Sequence, residues 1–118
     1  MKILIVDDEK DLVEMLRERL IYKRHSVDAT YNGLKALDLI NTREYDIALI
    51  DHNMPEMTGL ELIKQMKAKG LKTKIVMITE YKELPEVGAR AIGADEYIAK
   101  PIEIKKLEAI VAKYAKGI

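Results

Sequence analysis

Five short runs of aliphatic and β-branched residues recur along the chain, "KILIV" (2 to 6), "SVDAT" (26 to 30), "DIALI" (46 to 50), "KIVMI" (74 to 78) and "EYIA" (96 to 99). Each is followed by a longer stretch in which apolar residues return every three or four positions. Strand-length runs alternating with helical periods predict five βα units wound around a parallel sheet. Four of the runs are almost wholly apolar, as strands covered on both faces are, whereas "SVDAT" alternates and is expected at an edge.

Caps and periods mark the helices. Asp11 is expected to cap the first, with Glu14 three residues on and an apolar stripe of Leu12, Leu16 and Leu20. Thr58 and Glu61 repeat that spacing ahead of Leu62, Ile63 and Met66, which is the capping-box arrangement. Leu34, Leu37 and Ile40 share a face after the Asn32-Gly33 turn, and Ile104, Leu107, Val111 and Tyr114 share one in the last helix. In "ELPEVGARAIG" (83 to 93) Pro85 suits the first helical turn, but Gly88 costs about 1 kcal/mol relative to Ala. This helix is expected to be the least stable.

A chain of 118 residues is the size of one domain, here taken as 1 to 118. Its charged fraction of 34% exceeds the usual value of about 25%, yet 20 acidic residues balance 20 basic ones. That balance argues against nucleic acid as a direct partner, since phosphate binding favours a basic excess on one face. No run of about 20 apolar residues could span a bilayer, and the first residues lack the layout of a signal peptide, so no membrane insertion and a cytoplasmic location are expected. The absence of cysteine removes thiolate chemistry, disulfides and zinc-thiolate sites.

In an open α/β sheet, ligands bind beyond the carboxyl ends of the strands. Asp7 and Asp8 follow the first run, Asp51 the third, Thr79 the fourth and Lys100 the fifth. Right-handed connections in a doubly wound sheet would bring these ends to one rim. Three carboxylates so placed repel one another unless positive charge intervenes; Lys100 supplies one charge, and a metal is the natural second. With oxygen ligands alone the ion should be hard, and Mg²⁺ fits one or two carboxylates plus phosphate oxygens. A carboxylate, Mg²⁺, a lysine and a threonine hydroxyl are the parts of phosphoryl transfer to Asp. Asp51, alone at a central strand end, is the expected acceptor, which leaves Asp7 and Asp8 to hold the ion.

The segments "VDDE", "DHNMPEMTG", "ITE" and "YIAKP", in this order and spacing, resemble the receiver domains of bacterial two-component response regulators, in particular stand-alone ones, over essentially the whole chain. The resemblance implies a flavodoxin-like three-layer sandwich with strand order 2-1-3-4-5. It implies Asp51 as phosphoryl acceptor, Asp8 as a direct Mg²⁺ ligand, Asp7 acting largely through metal-bound water, and Asn53 giving a backbone carbonyl to the ion. Lys100 would pair with the phosphoryl group, and its bond to Pro101 would be cis. The hydroxyl of Thr79 would be coupled to Tyr97, whose ring turns inward on phosphorylation. Glu80 departs from the pattern, because receivers usually carry a small residue there; a bulky carboxylate bears on the rates of phosphoryl gain and loss.

Other charged and apolar residues have plainer readings. Glu9 and Asp11 are read as helix N-terminal charge complementing the dipole. Met54 and Met57 are read as loop packing, Met66 and Met77 as core. His25 belongs to the opposite rim and His52 to the loop surface, so neither is a phosphodonor. The phosphoryl group must then come from elsewhere; the resemblance implies a histidine kinase or histidine phosphotransfer protein as its source and a downstream protein target for the output, reached as a relay intermediate or a diffusible regulator, by a monomer or weak dimer. The relay is the first reading, and the face of the fourth and fifth helices with strand five is the runner-up contact surface. Two alternatives stand beside this reading: a haloacid-dehalogenase-like phosphatase, which would want a second Asp where Asn53 stands, and a degenerate receiver acting only as an interaction module. The expected protein is no enzyme toward other substrates; it catalyses only its own phosphorylation and dephosphorylation.

Overall fold

The computed structural model describes residues 1 to 116. Strands β1 (Lys2–Val6), β2 (Ser26–Thr30), β3 (Ile47–Asp51), β4 (Lys74–Thr79) and β5 (Glu96–Ala99) alternate with helices α1 (Lys10–Tyr22), α2 (Gly33–Thr42), α3 (Gly59–Ala68), α4 (Glu86–Ile92) and α5 (Ile104–Ala115). All four strand pairings are parallel, in the order β2-β1-β3-β4-β5. The alternating segment "SVDAT" is indeed an edge strand. β3 and β4 run one residue further than their apolar patterns suggested, so Asp51 and Thr79 are the last residues of their strands.

Side chains of consecutive strand residues point to opposite faces, and both faces are apolar. One face, with Leu4, Val6, Ala48, Ile50, Ile75 and Met77, packs against α2, α3 and α4 through Ala36, Ile40, Leu62, Ile63, Met66 and Ala89. The other, with Ile3, Ile5, Ile47, Leu49, Val76 and Ile78, packs against α1 and α5 through Val13, Leu16, Leu20, Leu107 and Val111. The result is a three-layer sandwich. At about 1.5 to 3 kcal/mol for each large aliphatic side chain buried, these two layers hold the strand ends in fixed register. That is what lets a site be assembled across four strands.

Helix starts match the sequence pattern unevenly. Thr58 and Glu61 form the expected capping box of α3, and Asn32 caps α2 by accepting from the Lys35 amide. Asp11 does not cap α1. The helix begins at Lys10 behind Glu9, and Asp11 lies in the first turn, where its charge complements the dipole. The reason is Asp7, whose Oδ1 accepts the Glu9 amide at 2.9 Å and turns the chain into the helix two residues earlier. Pro85 is likewise the N-cap of α4 rather than its first helical residue, and α4 has only seven residues.

Candidate functional site

The four strand ends anticipated from the sequence meet at one rim. Asp51 stands opposite Ile78, Thr79 opposite Ala99, and the Lys100 amide donates to the Thr79 carbonyl at 2.9 Å. The Lys100–Pro101 bond is cis. From this position the Lys100 ammonium reaches back over β4 and β3: Nζ lies 2.7 Å from Glu9 Oε1, 3.0 Å from Asp7 Oδ2 and 3.7 Å from Asp51 Oδ2. Asp7, Asp8 and Asp51 each offer a carboxylate oxygen within 4.8 Å of the others. Asp7 and Asp51 are buried, and Asp8 is exposed at the mouth.

The electrostatics follow from that crowding. Burial pushes the Asp51 carboxyl up, the Asp7 charge pushes it further, and Lys100 only partly offsets them, so its pKa rises to about 7. Asp7 is also raised, by burial first, against the opposing pull of the Glu9 amide and Lys100. Burial alone would lower Lys100, but its bonds to Glu9 and Asp7 outweigh that and hold it protonated. One ammonium therefore faces three carboxylates, Glu9, Asp7 and Asp51, with the Asp8 carboxylate beside the latter two. Such a cluster has room for further positive charge, and its ligands are all oxygen, which is the donor set of a hard divalent ion.

Two loop features shape the rim. Gly59 donates its amide to the His52 carbonyl at 2.9 Å, and a Cβ on Gly59 would collide with the Asp51 carbonyl oxygen and lie 2.8 Å from His52 Cα. The close packing of the start of α3 beneath the loop that follows Asp51 thus requires glycine. Asn53 is exposed, two residues beyond Asp51. Met54 is buried and packs in the core beside α3, as expected of loop packing.

The Thr79 side chain is wholly buried, yet its hydroxyl has no hydrogen-bond partner. Buried hydroxyls are nearly always paired, so this orphan at the end of β4 is unusual, and the Thr30 hydroxyl at the end of β2 shares the condition. Tyr97 already lies inward, at 7% exposure, and its hydroxyl donates to the carbonyl of Leu84 in the β4–α4 loop. Glu80 is exposed, its carboxylate 3.6 Å from the Lys82 ammonium. His25 sits at the opposite rim with Nδ1 3.1 Å from the Met1 amino group. His52 is half-buried rather than on the surface, with Nδ1 shielded and unpaired.

Sequence reasoning missed Glu9. Its position points to helix-end charge, but its carboxylate makes the shortest contact to Lys100. No spacing rule links residues 91 positions apart; the only available sign was adjacency to the Asp7-Asp8 pair.

Comparison with known proteins agrees with this geometry. The response regulator receiver domain model matches residues 3 to 112. The transcriptional regulatory protein DltR of Streptococcus agalactiae is 36% identical over 108 residues, covering 91% of this chain and 48% of that protein. Response regulator MprA of Mycobacterium avium is 34% identical over 108 residues, covering 91% of this chain and 47% of that protein. The chain thus spans about half the length of these curated relatives. Among solved structures, the receiver domain of a Francisella response regulator superposes with a TM-score of 0.92 at 27% identity, covering 98% of this chain and 96% of that one. Response regulator protein TrrA of Thermotoga maritima, solved in complex with Mg²⁺-BeF, gives 0.84 at 32% identity, covering 96% and 97%. The chain belongs to the receiver domains of two-component response regulators, the family of phosphoacceptor signalling modules.

Proposed function

We propose that Asp51 accepts a phosphoryl group from a phosphohistidine on a partner histidine kinase or phosphotransfer protein, and that the acyl phosphate alters contacts with a downstream protein. The observation that carries this is the juxtaposition of the buried Asp51 carboxylate, the Lys100 ammonium 3.7 Å away and the unpartnered Thr79 hydroxyl on the adjoining strand end. An oxygen of Asp51 attacks phosphorus as the P–N bond to the donor imidazole breaks, and the imidazole leaves with the bonding electrons and takes up a proton. Lys100 neutralises charge on the phosphoryl oxygens, and Thr79 donates its hydroxyl to one of them.

Asp8 and Asp51, with the Asn53 carbonyl and with Asp7 through water, are the residues that would hold Mg²⁺; the surplus of negative charge and the all-oxygen donor set fit it. Bound there, the ion supplies charge neutralisation for the transferring group. Tyr97 and Thr79 form the switch: Tyr97 ties β5 to the β4–α4 loop through Leu84, and engagement of Thr79 pulls on the same loop. The face of α4, β5 and α5 is the contact surface, acting as one domain in the cytoplasm, as a monomer or weak dimer. Among the described residues no helix is long and apolar enough to cross a membrane.

The phosphatase alternative is not favoured, since the position two beyond Asp51 is Asn53 and offers no acid-base carboxyl. A degenerate module is not favoured either, because every polar group the chemistry needs is present. The test is incubation with a small acyl phosphate and Mg²⁺ followed by intact mass measurement. A single phosphoryl adduct that disappears in Asp51→Asn is expected; an adduct that persists in that variant overturns the acceptor assignment.

A further inference from the structure

Glu9 occupies a position whose usual task it does not perform. It is the N-cap of α1, yet its side chain makes no cap hydrogen bond; the carboxylate crosses the rim to Lys100 instead, at 2.7 Å. Of the three carboxylates around that ammonium, Glu9 is the closest and also the only one not enclosed. Its side chain is 59% exposed, against 5% for Asp7 and 4% for Asp51. Asp51, the group Lys100 must serve during transfer, lies at 3.7 Å, beyond hydrogen-bond reach.

We infer that Glu9 is a displaceable counter-ion: it holds the Lys100 ammonium on the solvent side of the resting site and must release it before Lys100 can engage an incoming phosphoryl group. This deepens, and rests on, the reading of Asp51 as acceptor. A groove of about 530 Å³ opens on the pair, with Leu12, Tyr81 and Ile102 among its walls, so a donor reaching Lys100 through it meets the Glu9 carboxylate. Its hydrogen bond to Lys100 competes with the phosphoryl oxygens for the same N–H groups, which favours the unphosphorylated protein. Glu9 is a positioning residue in this scheme, acting on the reaction through Lys100, and it sets how readily this receiver accepts a phosphoryl group.

Two substitutions separate a bond from a charge. Glu9→Gln removes the charge, while Glu9→Asp keeps it on a side chain one methylene shorter. In magnesium-free protein, exchange of the Lys100 ammonium protons with water, read by ¹⁵N NMR, is expected to quicken in both variants. With a small acyl phosphate and Mg²⁺, the initial rate of adduct formation should rise about two- to five-fold in both, the range that a solvent-exposed ion pair supports. If Glu9→Asp matches wild type while Glu9→Gln alone accelerates, the effect is charge and the counter-ion role is overturned. Unchanged rates, or unchanged exchange, overturn it as well. Failure of the acceptor reading is distinguishable, because the adduct then persists in Asp51→Asn while the exchange measurement, made without phosphodonor, is unaffected.

Discussion

Tyr97 and Leu84 are tied by a hydrogen bond from the buried tyrosine hydroxyl to the leucine carbonyl, which joins β5 to the loop leading into α4. α4 is the shortest helix of the fold, and neither of its neighbours in the chain supplies a side-chain cap. Tyr97→Phe keeps the ring in the core and removes only this bond, at a cost of about 1 kcal/mol. Faster amide exchange confined to residues 83 to 93 is the expected signature. Uniform acceleration throughout the sheet would show instead that the bond stabilises the whole domain.

The Thr79 hydroxyl is buried without a partner, so the resting protein has nothing to lose with it. Thr79→Val preserves shape and removes the orphan group, and stability should hold or rise by up to about 1 to 2 kcal/mol. The adduct on Asp51 should still form. What should vanish is the change in amide exchange around α4 on phosphorylation, since the contact that pulls the loop is gone. A full response in the valine variant would remove Thr79 from the switch.

Burial and the Asp7 charge raise Asp51 to about 7. Between the unfolded value and about 7 the native state keeps a proton that the unfolded chain has released, so in magnesium-free protein this group makes stability fall as pH rises through that window. Asp51→Asn removes the penalty and should be more stable than wild type near neutral pH, by on the order of a few kcal/mol at most, with the gap narrowing toward about pH 4. Chemical denaturation at several pH values in the presence of a chelator checks this. A gap that does not depend on pH would mean that crowding, not ionisation, sets the difference.

Gly59 lies so close to the Asp51 carbonyl that a methyl group cannot be accommodated without moving backbone. Gly59→Ala should cost about 1 to 3 kcal/mol, as overpacking does, and should slow adduct formation by displacing the acceptor strand end from Lys100. Denaturant midpoints and adduct rates together provide the check. Normal rates in a destabilised variant would show that the loop yields while the strand end stays in place.

Much of this protein could be read along the chain. Apolar runs of strand length, helical periods and caps such as Thr58 determine the βα order, because each depends on residues within a few positions of one another. The chemistry of the rim is also local in origin: a residue just past a buried strand must emerge at the carboxyl end, so Asp7, Asp51, Thr79 and Lys100 could be placed from their positions alone. Strand order came from family resemblance, since five similar apolar strands do not by themselves say which lies beside which. Tertiary structure alone decided which groups touch. Asp7 takes the Glu9 amide and moves the start of α1; Glu9, freed from capping, reaches Lys100 from the far end of the chain; Thr79 is sealed without a partner while Tyr97 finds Leu84. Periodicity tells a residue which face it occupies, but hydrogen bonds and ion pairs are settled over a few ångströms, by packing between elements that the sequence does not bring together.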